Sequence, residues 1–284
     1  MSRFFKPRDE MSIKARHENF PVASRFLPRG VRSELLAIYG FARLTDDVGD
    51  EAEGDRLVLL DWLDDELDHA ASGDAVHPIF RRLSPVIQSL QLDLGPFRAL
   101  IEANRVDQRV DRYKTFDDLV EYCMLSAAPV GRLVLAVFNS STPTRIAYSD
   151  NICIALQLIE HLQDVQEDAL RGRIYLPLED MERFGCAEDD LLEPSASPSL
   201  RELIAMESQR ARGLLADGVP LAASLSLQPR IAIAGFVAGG LAALDSIERA
   251  DFDVLSVQCR PRKVGVAAHL VRNLVSARAS RRAA

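Results

Sequence analysis

The chain is 284 residues long, 48% apolar and 27% charged, with a formal net charge of −8. This composition suits a globular protein with a sizeable core, and the acidic balance, with no basic patch interleaved with aromatics, excludes generic nucleic-acid binding. The opening stretch, residues 1–10, has no apolar run of secretory-signal length, and Cys123, Cys153, Cys186 and Cys259 form no C-x-x-C pair, so a cytoplasmic protein with free thiols is expected.

Helical periodicity dominates from there on. The apolar spacing predicts helices over 32–51, 55–71, 76–91, 96–111, 116–138, 144–170, 199–217, 229–249 and 264–280, with no alternating strand run. Breakers separate them, among them Pro28-Arg29-Gly30, Ser140 to Pro143 and the stretch from Pro194 to Pro198, and Thr115 and Thr142 stand where N-caps belong. The reading is one all-α domain over 1–284, with a motif-bearing core at about 17–260 and a basic tail at about 261–284. Residues 171–198 form the largest irregular insertion, in which Glu188-Asp189-Asp190 reads as a solvated loop. Residues 231–244 are uncharged but about a third short of the roughly 20 residues that cross a bilayer, which marks a core helix. Its Gly235, Gly239 and Gly240 then admit a neighbouring helix or a bulky apolar ligand. Arg260, Arg262, Lys263, Arg272, Arg278, Arg281 and Arg282 make a basic end that is either a solvated, frayed tail or an element drawn to an anionic membrane face.

Two acidic clusters carry the functional argument. Asp46 and Asp50 lie four apart, as do Asp164 and Asp168, so on helices each pair projects to one side, one turn apart. Carboxylates so spaced on two facing helices suit Mg²⁺, which takes a few carboxylates, several waters and substrate phosphate oxygens. Any single DxxxD pair is more simply a solvated helix face. Here both helices approach their acids through apolar runs, Leu35 to Leu44 and Ile152 to Ile159, and interior carboxylates need a cation or hydrogen bonds. No Ser/His/Asp or Cys/His nucleophile pattern and no Rossmann glycine fingerprint competes with this reading. His161, the only histidine near the acids, reads as a hydrogen-bonded structural residue, with metal ligation or donation to pyrophosphate as the alternative.

Three ordered segments resemble the squalene/phytoene synthase family: Tyr39 to Asp50, Tyr122 to Arg132, and Gln157 to Asp168 followed by Arg171-Gly172-Arg173-Ile174-Tyr175-Leu176-Pro177. The opening Glu18-Asn19-Phe20-Pro21-Val22-Ala23-Ser24 is similar to the hydroxysqualene synthase branch. The resemblance implies an isoprenoid-synthase helical bundle around a central apolar cavity whose aspartates bind Mg²⁺ and a prenyl diphosphate. It implies metal ligation by Asp46, Asp50, Asp164 and Asp168, diphosphate contact by Arg43, and cavity tyrosines at Tyr39 and Tyr122. Asn19, Phe20, Phe41, Gln157, Glu160 and Arg173 are the remaining substrate-binding candidates, and Phe138 and Phe236 are further wall candidates. Glu160 and His161 depart from a pattern of Asn followed by an apolar residue, and Phe252 stands where carotenoid-forming relatives carry Tyr. The implied reaction turns presqualene diphosphate and water into hydroxysqualene and pyrophosphate. Head-to-head condensation of two farnesyl diphosphates and a non-catalytic helical scaffold are the two alternatives. No oligomeric state follows from the sequence.

Overall fold

A computed structural model describes residues 27–283, with side chains described as far as Val275. The described chain is helical throughout, joined by loops and one isolated bridge between Arg112 and Ile174. The helices are α1 (Arg29–Glu51), α2 (Arg56–Ser72), α3 (Pro78–Leu90), α4 (Gly95–Val106), α5 (Phe116–Ser126), α6 (Ala128–Val137), α7 (Pro143–Gln163), α8 (Val165–Leu170), α9 (Leu178–Phe184), α10 (Pro198–Gly218), α11 (Pro220–Ser224), α12 (Leu227–Arg249) and α13 (Lys263–Ala283), with a 3₁₀ turn at Glu188–Leu192.

Local chemistry sets these boundaries. The Asp55 side chain accepts from the Leu57 and Val58 amides at the start of α2. Thr115 and Asp118 exchange bonds in a capping box on α5, and Thr142 accepts from the Arg145 amide at the start of α7. Two stretches expected as single helices are broken. The 116–138 helix stops at Ala127, because Pro129 enters the first turn of α6 without an N–H to continue the ladder. The 144–170 helix kinks at Asp164 (φ −109°, ψ 15°), which sits at the break itself, while the Asp168 amide still donates to Asp164 O at 2.8 Å, one turn on. The 96–111 helix ends at Val106, and residues 171–198 hold α9 and the 3₁₀ turn. The basic end is helical from Lys263 to Ala283.

The main core forms where α1 packs on α2, α3 and α4, and where α7 lies along α10 and α6. Phe41 is fully buried at its centre, edge-on to Phe80 (5.7 Å) and Phe97 (5.2 Å). Gly240 does allow the close approach expected of it, since a Cβ there would lie 2.8 Å from Leu156 Cδ2, whereas one on Gly235 would meet nothing within 4 Å. The apolar window of α12 is 61% buried, as befits a core helix. All four cysteines are free and buried. A second core beneath α9, α10 and the C-terminal end of α12 includes Leu200, Leu203 and Ile247, with the half-buried Phe252 packed against it. Asp251 and Phe252 reach this position through left-handed backbone, at φ 53° and 57°.

Candidate active site

The two acidic clusters meet around one cavity of about 260 Å³. Asp46 and Asp50 from α1 line it together with Asp164 and Asp168 from the α7–α8 junction, and Gln157, Glu160, Tyr122 and Arg173 complete the set expected from the sequence. Its wall is polar around the carboxylates, with Leu100, Ala103 and the rings of Tyr122 and Tyr175 as the apolar share.

Close packing holds α1 in place. Gly49, between the two α1 aspartates, faces α4 so closely that a Cβ would collide with the Asn104 amide. Gln108 donates to the Gly49 carbonyl at 3.0 Å, and Asn104 Nδ2 lies 3.5 Å from Asp46 Oδ1. Opposite, the Arg171 to Pro177 loop is clipped to the α4–α5 connection: the Ile174 amide donates to Asp111 O (2.9 Å) and the Leu178 amide to Tyr113 O (2.9 Å). The clip carries Arg173 over the cavity, where its guanidinium donates to Asp50 Oδ1 at 2.8 Å. Glu188 pairs with Arg112, at 2.8 Å from both Nε and Nη2, and so braces that clip, while it and Asp189 stay exposed at the surface as expected.

The electrostatics are those of acids short of positive partners. Asp46 is exposed toward the cavity yet surrounded by protein, and that burial pushes its carboxyl up to about 7, against the Asn104 hydrogen bond and Arg43 and with the help of Asp50 and Asp47. Asp164 is also raised, first by burial and then by Asp168 and Glu167. Burial works against the charge on Arg173, yet Tyr175, Asp107 and Asp50 together hold it firmly protonated.

The sequence reading missed the rest of the wall. Asp107, the residue that ends α4, accepts from the Tyr122 hydroxyl at 2.8 Å and faces the Tyr175 hydroxyl at 3.5 Å. Burial raises its carboxyl and those two phenols as well. Tyr113, Tyr122 and Tyr175 pack at 5.3–5.8 Å between centroids, and His161 stacks on Tyr175 at 3.7 Å. His161 also sits 3.3 Å from Gln157 Nε2 and 3.7 Å from Asp168 Oδ2, so it is hydrogen-bonded, as expected, and lines the cavity too. Tyr175 and Arg171 stood inside a segment already singled out; Asn104 and Asp107 gave no signal, because they lie in a helix whose polar residues resemble a solvated face.

Other expected positions fall elsewhere. Phe41 is core rather than cavity, because it lies five residues before Asp46 and so faces α3 and α4. Arg43 lies outside the cavity lining and pairs with Asp47 at 2.7 Å, one helical turn away. Tyr39 is half-buried on α1, also outside that lining. Phe138 and Phe236 pack with the main core. Asn19 and Phe20 lie outside the described residues.

The donor set fits a hard divalent cation in a particular way. Among the described residues no three His, Cys, Asp or Glu side chains converge on one point. Each aspartate pair therefore supplies too few ligands to cage an ion alone, which suits an ion that keeps waters and shares phosphate oxygens with a substrate.

Comparison with known proteins agrees with this geometry. The squalene/phytoene synthase family profile matches residues 13–265. The chain is 38% identical to a hydroxysqualene synthase of Rhodopseudomonas palustris, over 74% of this chain and 72% of that protein. It is 34% identical to a phytoene synthase of Arthrospira platensis, over 84% and 82%. The crystal structure of squalene synthase HpnC from Alicyclobacillus acidocaldarius superposes with a TM-score of 0.79 at 40% identity, covering 86% of this chain and 95% of that one. A helical fold of this type, a family profile spanning most of the chain and four aspartates around one cavity lead to a single assignment: this chain belongs to the squalene/phytoene synthase family.

Proposed function

We propose that this protein is a Mg²⁺-dependent hydroxysqualene synthase, converting presqualene diphosphate and water to hydroxysqualene and pyrophosphate. The observation that carries the reading is the facing of Asp46 and Asp50 with Asp164 and Asp168 across one cavity that Arg171 and Arg173 also line. Asp46, Asp50, Asp164 and Asp168 would hold Mg²⁺, which as a Lewis acid would stabilise the charge developing on pyrophosphate. Arg173, set between Asp50 and Asp107, is placed to give charge-assisted hydrogen bonds to the same oxygens.

In the proposed step the C–O bond to diphosphate breaks and its electron pair leaves with pyrophosphate. The cyclopropylcarbinyl cation rearranges, a water oxygen bonds to it, and the water's proton passes to pyrophosphate. The ring faces of Tyr122 and Tyr175 are suited to the cation, since aromatic faces attract positive charge without bonding to it. The Tyr122 hydroxyl donates its hydrogen bond to Asp107 and so keeps lone pairs to accept from a water, which Gln157 and Glu160 would help position. Similarity to a named hydroxysqualene synthase over about three quarters of the chain supports this choice. The proposal includes a cytoplasmic protein working at the inner membrane face, where such apolar products partition.

The phytoene synthase similarity favours a second reading, head-to-head condensation of two prenyl diphosphates. Incubation of the purified protein and Mg²⁺ with presqualene diphosphate in ¹⁸O-water, without nicotinamide, separates the two. Labelled hydroxysqualene supports the first. Consumption of farnesyl diphosphate, with squalene formed only on adding reduced nicotinamide, supports the second. Inertness toward both substrates supports a scaffold.

A further inference from the structure

The last helix presents an apolar face to solvent. On its inner side α13 is fixed to α12 by His269, whose Nε2 lies 2.7 Å from Asp245 Oδ2, by Asn273 donating to Ala234 O at 3.5 Å, and by Gly265 against Ala242. On the opposite side Val264, Ala267, Ala268, Val271 and Val275 follow one another at i, i+3, i+4, i+7 and i+11, the spacing of a single helical stripe. All five are exposed, Val264 to 80%, Val271 to 62% and Val275 to 61%. A stripe of this kind normally packs against something.

Charge indicates what that is. From residue 254 to the end the chain has seven Lys and Arg and no Asp or Glu, so the negative excess lies wholly in the residues before it. Arg260, Arg262, Lys263 and Arg272 are all exposed beside the stripe. A second copy would bring two such basic segments together, which like-charge repulsion opposes. An anionic lipid surface satisfies both halves of the face, with valines entering the headgroup boundary and arginines meeting lipid phosphates.

We propose that α13 is a membrane-docking helix that binds anionic bilayers through the Val264–Val271–Val275 stripe and its flanking basic residues. This deepens the proposed membrane location but uses neither metal nor substrate, so a failed turnover assay leaves it standing and its own failure leaves the proposed chemistry untouched. The test is co-sedimentation of the whole protein with vesicles of phosphatidylcholine alone or mixed with phosphatidylglycerol, in low and high salt. The expected result is binding to the mixed vesicles only, weakened by salt, and reduced about tenfold or more in a Val264→Asp/Val271→Asp variant with unchanged melting temperature. In a Val271→Trp variant the emission should shift to the blue with mixed vesicles, read against the one native tryptophan, Trp62. Equal binding to both vesicle types, wild-type binding by the double aspartate variant, no binding at all, or a lipid-free dimer that this variant dissociates would each overturn the proposal.

Discussion

Two clusters of carboxylates in this molecule solve one electrostatic problem in opposite ways. Beneath α5, the Asp180 and Glu207 side chains are each 4% exposed and share one guanidinium, Arg210, which is 2.7 Å from Glu207, in closer contact still with Asp180, and 4.4 Å over the Phe116 ring. The cation there is built into the chain. Around the cavity, four aspartates meet and Arg173 is bonded to Asp50 alone of them. That contrast separates structure from function: acids sealed in with their own arginine hold helices together, whereas acids aimed into open space with too little positive charge await a ligand that brings it.

The comparison can be broken by mutation. Asp46→Ala or Asp164→Ala should lower turnover by about a thousandfold or more while leaving the melting temperature unchanged or higher, because like charges are relieved. Near wild-type turnover in either would end the metal assignment. Arg210→Ala should do the reverse, costing about 3–5 kcal/mol in urea denaturation because two buried carboxylates lose the cation they share. If Arg210→Ala left stability unchanged, the sealed cluster would not be structural.

Ligand additions sharpen it. Mg²⁺ with pyrophosphate should stabilise the protein by about 2.7 kcal/mol at a hundred times Kd, and Mg²⁺ alone by far less, since each aspartate pair is an incomplete cage. Equal stabilisation by Mg²⁺ alone in calorimetry would show a preformed site. Arg173→Ala should lower kcat/KM about tenfold more than Arg43→Ala, because only Arg173 lines the cavity. An equal loss would return Arg43 to the diphosphate.

The smallest expected effect is on pH dependence. Burial pushes Glu207 from 4.5 up to about 7. A carboxyl that holds its proton more tightly folded than unfolded contributes stability in full below its unfolded value, and that contribution is lost as the pH rises through about 7. Asp46 behaves likewise in the ligand-free protein. Glu207→Gln should therefore flatten the fall in stability toward neutral pH whether or not Mg²⁺ and pyrophosphate are present, and Asp46→Asn only in their absence. Melting curves across that range would show an identical response to ligand if the two clusters were alike.

The sequence by itself determined the all-α class, most helix positions, the Thr115 and Thr142 caps and the aspartate pairs, because each rests on contacts within a few residues or on a periodicity that one helix displays. Arg173, Gln157, Glu160 and Tyr122 were legible through the resemblance, and all four line the cavity. Tertiary structure alone decided that Asp107 holds Tyr122 and Tyr175, that Asn104 presses on Gly49, and that Phe41 belongs to the Phe80 and Phe97 core. It also decided that the apolar residues of the last helix are split between a packed face and an open one. Each of these depends on which side of a helix meets which neighbour, and that is set by the packing of helices distant in sequence, of which a local pattern holds no record.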